Sequence, residues 1–314
     1  MKSKQIRSTF LLLVMTGAVS FAQTPSTTVT VRVRVHDPDG QSVGGATVYL
    51  NLPRYGGRPF DEEEEALTDK NGTATVSGKA QWDYLVAAGK TGYYTTTTPK
   101  RTIASDYEIK LYATGVQLFD LELKPIKNPV PMLGGGSGND TLKMPSMTEP
   151  VGFDLEQDDW VSPWGRGKIA DFEFQVAGYA KSRTDYDQTL TLRFSNHGDG
   201  IQEFTAPADQ RSEFVFPYEA PATGYQDQWT WRMQNNAQGT HRDYDHTKLY
   251  IFRVRTELNA DGTVKRAMYG VLPTSLIFAP GEQATGVKFS YLLNPTWTPN
   301  LEVDLKHSVH AEPH

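Results

Sequence analysis

A two-residue hydrophobic period recurs along most of this chain and limits what it can fold into. Val29, Val31, Val33 and Val35 alternate with Thr30, Arg32 and Arg34. The same rhythm returns at Ala170, Phe172, Phe174 and Val176, and again at Leu190, Leu192 and Phe194. Tyr250, Phe252, Val254 and Thr256 form a further row, and Val287, Phe289, Tyr291 and Leu293 another. Such alternation puts one set of side chains on one face of a strand, as a sheet packed on one side requires. No window carries a sustained helical period. An all-β fold of two β-sandwich domains is therefore expected, a small Ig- or transthyretin-like one followed by a larger one.

Turn residues divide the strands. His36-Asp37-Pro38-Asp39-Gly40 and Thr68-Asp69-Lys70-Asn71-Gly72 interrupt the first region, and Asn259-Ala260-Asp261-Gly262 reads as a hairpin turn in the second. The small sandwich is assigned to residues 24–126 and the larger one to 150–306. Between them, residues 127–149 contain Pro129, Pro131 and the run Gly134-Gly135-Gly136-Ser137-Gly138, a composition expected for a linker. The acidic stretch Glu62 to Glu65 is expected as a solvated loop, and residues 307–314 as a terminal tail.

Three segments of the first region occur in the order of a known family. Val35-His36-Asp37-Pro38-Asp39-Gly40 through Val43-Gly44-Gly45-Ala46-Thr47-Val48 resembles the opening of carboxypeptidase regulatory-like (transthyretin-like) domains. Thr68-Asp69-Lys70-Asn71-Gly72-Thr73-Ala74 is similar to their second signature and Lys90-Thr91-Gly92-Tyr93-Tyr94 to their third. The resemblance implies an accessory or surface-display sandwich without catalysis of its own. The second region resembles uncharacterised parts of secreted bacterial proteins, which implies no activity.

Lys2, Lys4 and Arg7 precede an apolar run from Phe10 to Phe21 that ends in Ser20-Phe21-Ala22. This is the layout of a secretory signal peptide spanning residues 1–22, so the protein is expected to be secreted, periplasmic or on the cell surface. With no cysteine in the chain, disulfides cannot contribute, and no residue can carry a lipoprotein's lipid. No second apolar segment suggests membrane insertion. The net charge of −6 becomes −9 once Lys2, Lys4 and Arg7 are removed. That balance argues against nucleic acid, whose binding rests on phosphate neutralisation, and against anionic membrane surfaces.

Four groups of residues carry potential chemistry. His241-Arg242-Asp243-Tyr244-Asp245-His246 is the densest polar cluster, and Asp243 and Asp245 are its candidate metal ligands. The bland reading is a solvated loop before the Tyr250 strand. His197, beside Asp199 in a Gly-rich turn, has the chemistry of a general base. Asp154-Leu155-Glu156-Gln157-Asp158-Asp159 offers paired carboxylates for calcium or glycosidase chemistry, at a spacing that fits no EF-hand loop. Trp229 and Trp231 share a strand face, where core packing is the favoured reading and stacking on sugar rings the functional one, while Trp297 lies in a loop and is the better candidate for an exposed sugar-stacking ring.

Neither G-x-S-x-G nor H-E-x-x-H occurs, and no cofactor is implied. The leading expectation is an exported, non-catalytic binding or surface-associated protein that contacts polysaccharide or cell-surface components. The alternative is a polysaccharide-active lyase or hydrolase with His197, His241, His246 and Tyr244 gathered in one cleft of the second domain. A third is lateral assembly through edge strands. Expression of the full chain in a secreting host should yield a mature protein whose intact mass places its first residue at Gln23. An unprocessed Met1 would refute the leader assignment.

Overall fold

The computed structural model describes residues 27–52, 63–80, 83–99, 101–102, 115–138, 140–245, 248–281 and 285–310. No helix occurs among them. The first sandwich contains β1 (Thr27–His36), β2 (Thr47–Asn51), β3 (Glu63–Leu67), β4 (Thr73–Ala80), β5 (Asp83–Gly89), β6 (Thr96–Thr97), β7 (Arg101–Thr102) and β8 (Val116–Glu122). Strands β4-β1-β8 form one sheet. The other sheet runs β6-β5-β2-β3, with β7 beside β5. Val29, Val31, Val33 and Val35 are fully buried against Val48, Leu50, Tyr84 and Val86 of the facing sheet. At ~1.5–3 kcal/mol for each fully buried large apolar side chain, these rows stabilise the domain without disulfides.

The turn motifs of the first region are built alike. Asp37 Oδ1 accepts the amides of Asp39 and Gln41, and Asp69 Oδ1 accepts those of Asn71 and Thr73. Thr68 Oγ1 accepts the Ala46 amide and donates to the Val43 carbonyl, tying the second motif to the first. Gly72 has φ of +73°, and a Cβ there would collide with the Val35 carbonyl. The acidic stretch is not a loop where it is described: Glu63, Glu64 and Glu65 belong to β3, paired with β2 at the sheet edge. Exposed carboxylates on an edge strand discourage further pairing.

The second sandwich contains β9 (Leu133–Gly136), β10 (Leu142–Lys143), β11 (Val151–Asp154), β12 (Asp159–Trp160), β13 (Phe172–Ser182), β14 (Asp185–Arg193), β15 (Gly200–Thr205) and β16 (Arg211–Ser212). It continues with β17 (Gln228–Asn236), β18 (Gly239–Arg242), β19 (Lys248–Leu258) and β20 (Val264–Leu272). Strands β21 (Ile277–Ala279), β22 (Gly286–Lys288), β23 (Ser290–Asn294) and β24 (Val309–His310) complete it. One sheet runs β12-β11-β13-β14-β17-β18 and the other β15-β19-β20-β23-β9-β24, while β10-β22-β21 form a small third sheet. The aromatic rows seen in the sequence meet between the sheets. Phe172 packs edge-on to Phe252 at 5.0 Å and Phe153 edge-on to Phe289 at 5.4 Å. The Asn259–Gly262 turn closes the β19–β20 hairpin, with the Asn259 amide on the Thr263 carbonyl.

Three features of this half depart from the sequence-based expectations. First, the glycine run is a strand: β9 pairs with β23 inside the sheet. Close approach requires Gly135 and Gly136. The Asp158 carboxylate accepts the Gly136 amide at 2.7 Å and the Tyr291 hydroxyl at 3.0 Å, filling the space a Gly135 side chain would need. Second, Val309 and His310 of the expected tail pair in parallel with β9. Third, the outward face of β19 is buried. Leu249 and Ile251 enter a third core with Phe214, Phe216, Tyr269 and Val271.

That third core also takes in Tyr94 of the first sandwich. Strand β16 pairs with β6, so the second half supplies the outermost strand of a first-sandwich sheet. Buried Glu302 accepts the Tyr94 hydroxyl and the amides of Lys127 and Asn128. Lys124 Nζ donates to the carbonyls of Val215 and Phe216. Replacing Gly135 by alanine should lower unfolding free energy by about 1–3 kcal/mol, the usual cost of overpacking. Urea denaturation checks this, and an unchanged midpoint would show that Asp158 moves aside freely.

Candidate functional site

A cleft of about 760 Å³ opens between the β17–β18 edge of one sheet and the β15–β19 edge of the other. Strand β17 shapes its inner wall. Trp229 and Trp231 point between the sheets, opposite Leu192 and Leu190 of β14. Trp231 is buried, and its indole N–H donates to the Tyr250 hydroxyl at 3.2 Å. Trp229 is half-buried, edge-on to the same tyrosine at 5.5 Å. Burial raises the Tyr250 phenol above its usual value, with the Trp231 hydrogen bond opposing it. Tyr244 is 48% exposed, leaving its ring available to stack.

Polar groups converge on these rings. Lys248 Nζ donates to Glu203 at 3.0 Å, which holds the ammonium above its usual value. Gln226 exchanges two backbone hydrogen bonds with Ile201 of β15, joining the sheets beside the cleft. Gln228, Arg242, Asp243 and Asp245 complete much of the lining. Arg242 has no carboxylate partner among the described residues. The arrangement combines aromatic faces with hydrogen-bonding groups of both charge signs.

The outer side of the cleft wall is clasped. Arg232 makes a bidentate pair with Asp187 at 2.9 and 2.8 Å, which holds the Asp187 carboxyl below its ordinary range. The Arg232 amide donates to Asp243 Oδ2 at 2.8 Å, while His241 Nε2 lies 2.7 Å from Asp243 Oδ1. Both Asp243 oxygens are thus engaged in fastening β18 to β17. No group of three or more His, Asp or Glu side chains suited to a metal occurs among the described residues. The candidate ligands Asp243 and Asp245 are therefore not gathered with a third there.

The structure brings together Trp229, Trp231, Asp243, Tyr244 and Asp245, and separates the other candidates. His197 sits exposed on the turn before β15 and does not line the cleft. His241 touches it only through Asp243, and His246 lies outside the described residues. The catalytic grouping of His197, His241 and Tyr244 is thus not assembled, because the β14–β15 turn carries His197 away. Trp297 is half-buried in the loop after β23, and the Arg266 guanidinium stands 4.3 Å from its ring center. Glu203, Lys248 and Tyr250 carried no local signal. Strand register alone brings them to the cleft.

While Asp159 pairs with Arg166, two other carboxylates of the 154–159 segment, Asp154 and Glu156, serve Arg255, which sequence reasoning did not single out. Its guanidinium donates to Asp171 at 2.8 Å through both Nε and Nη2, to Asp154 at 3.0 Å, and to Glu156. Arg255 occupies a left-handed conformation at φ +56°, at a bulge in β19. Asp199 accepts the Arg255 and Thr256 amides there. Burial alone would raise the Asp154 carboxyl. The amides of Lys168, Ile169 and Gln157, with Arg255, outweigh it and hold Asp154 below its ordinary value.

No family model matches the chain, and no curated protein matches it. Among solved structures, a DUF3823 family protein from Parabacteroides merdae is similar at 8% identity, with 89% of this chain and 100% of that chain covered. Its TM-score is 0.20, too low to carry an argument. No helix among the described residues is long and apolar enough to cross a membrane.

Arg255→Met should cost about 3–5 kcal/mol at neutral pH, because it strands buried carboxylates. The stabilisation that Asp154 draws from its lowered value is present above the unfolded Asp value of about 3.9 and is lost as pH falls through the folded one. Without Arg255 the stranded Asp171, which burial already holds above its ordinary value, and Asp154 take up protons at higher pH than in the wild type, so the gap between the two proteins should narrow as pH falls into the carboxylate range. Denaturation across pH tests this, and a pH-independent gap would mean that packing rather than charge dominates.

Proposed function

We propose that this chain is an exported binding protein that contacts glycans through the cleft between the β17–β18 and β15–β19 edges. The observation that carries the reading is the meeting of Trp229 and Tyr244 with Glu203, Gln226, Gln228, Arg242 and Lys248 around one open cavity. Sugar rings present flat C–H faces to aromatic rings and a belt of hydroxyls to donors and acceptors. A wall of that mixed character suits them better than it suits a wholly apolar ligand. The N-terminal sandwich, read as a carboxypeptidase regulatory-like accessory domain, agrees with a surface-associated role, as does the leader.

Sedimentation with insoluble polysaccharides, followed by calorimetry on their soluble fragments, tests the reading. Tyr244→Ala should weaken binding about tenfold, equivalent to ~1.4 kcal/mol, without moving the thermal midpoint, since Tyr244 is exposed and belongs to none of the cores. Wild-type protein that retains none of a broad panel, or an unaltered Tyr244→Ala, would defeat it.

A further inference from the structure

The cleft is one end of a longer depression. Tyr244 also lines a second cavity of about 540 Å³, with Pro273, Thr274, Ser275 and Lys288. That cavity shares Gly138, Pro273 and Ser290 with a third, of about 370 Å³, which runs beneath Asp158 and Tyr291. Each neighbouring pair of cavities therefore has a wall in common.

The sheet register explains their alignment. Glu203 is opposite Tyr250, and Tyr250 is opposite Leu272. Val271 is opposite Leu292, and Ser290 is opposite Gly136. These pairs set the ends of five adjacent strands, β15-β19-β20-β23-β9, in a row along one edge of the sheet. At ~4.8 Å between strands, the row covers a path on the order of 19 Å. Gly134, Gly135 and Gly136 add no side chains to its far end. Ser275 Oγ donates to the carbonyls of Asp245 and Lys248, fixing the middle of the path against the first cleft.

We propose that the ligand is a glycan chain bound along its length, lying across the strand ends from the tryptophan cleft past Tyr244 to the glycine strand. This rests on the glycan-binding reading of the first cleft and adds the ligand's polymeric form and direction. A single sugar or chain end would need only the first cavity. A chain of several rings would need all three, with Tyr244 between the first and second.

Calorimetry with size-fractionated fragments of β-glucan, xylan, mannan, alginate and pectin, from two to eight units, tests the proposal on the full mature chain. For the polysaccharide that binds, affinity should rise at least tenfold from dimer to octamer. Thr274→Arg, which projects a long side chain over the middle cavity from an exposed position, should collapse that difference, and its melting curve should match wild type. Equal affinity at all lengths, or a length dependence that survives Thr274→Arg, overturns the extended groove while leaving the cleft reading intact. Absence of binding at every length overturns both.

Discussion

The architecture depends on the burial of strand β19 on both faces. Tyr250, Phe252 and Val254 point into the core between the two large sheets. Leu249 and Ile251 point the other way, into the third core. Strand β20 repeats the pattern, with Met268 and Leu272 on one side and Ala267, Tyr269 and Val271 on the other. A sheet covered twice cannot present one face to water, so the segment from Phe204 to Tyr225 and the Leu301 region must lie over it. Tyr94 joins from the first sandwich, and this apolar contact brings Glu302 and Lys124 into reach of their partners. The coupling of the halves thus follows from the need to cover one strand.

Local periodicity made much of this fold legible. Rows such as Val29 to Val35 and Phe172 to Val176 are buried on the face that their alternation implies. The double burial of β19 was harder to read, because Ile251 stands in line with Arg253 and Arg255 and looks like one apolar residue on a wet face. Composition misled at the glycine run for a physical reason. Glycine marks flexible coil in a linker, but it also marks a strand where another group needs the room of a side chain. Only the position of Asp158, brought from 22 residues away, distinguishes the two.

The candidate site divides along the same line. Trp229, Trp231, Asp243, Tyr244 and Asp245 were accessible from sequence because they lie on one hairpin and its exit loop. Glu203 and Tyr250 come from two other strands and meet the cleft through register. Arg255 was least legible of all. Its partners Asp154, Glu156 and Asp171 lie 84 to 101 residues away, and a lone arginine on an alternating strand carries no sign of them. The carboxylate cluster was visible, but the cation that Asp154 and Glu156 serve was not.

Edge chemistry bears on how such a molecule meets a partner. Strand β3 presents three glutamates, and β18 is four residues long with both His241 and Arg242 exposed. Strands β12, β16 and β24 are two residues each. The outer side of β8 is partly taken, since Gln210 accepts the Glu122 amide and Thr96 donates to the Glu122 carbonyl. Short, charged or covered edges oppose strand-to-strand assembly. At these edges lateral sheet growth is disfavoured by the same residues that finish them. The cleft keeps aromatic rings and hydrogen-bonding groups accessible together, and Arg232, Asp187, Asp243 and His241 brace its outer wall. A wall braced in this way loses little freedom when a ligand docks, so its contacts translate more directly into affinity.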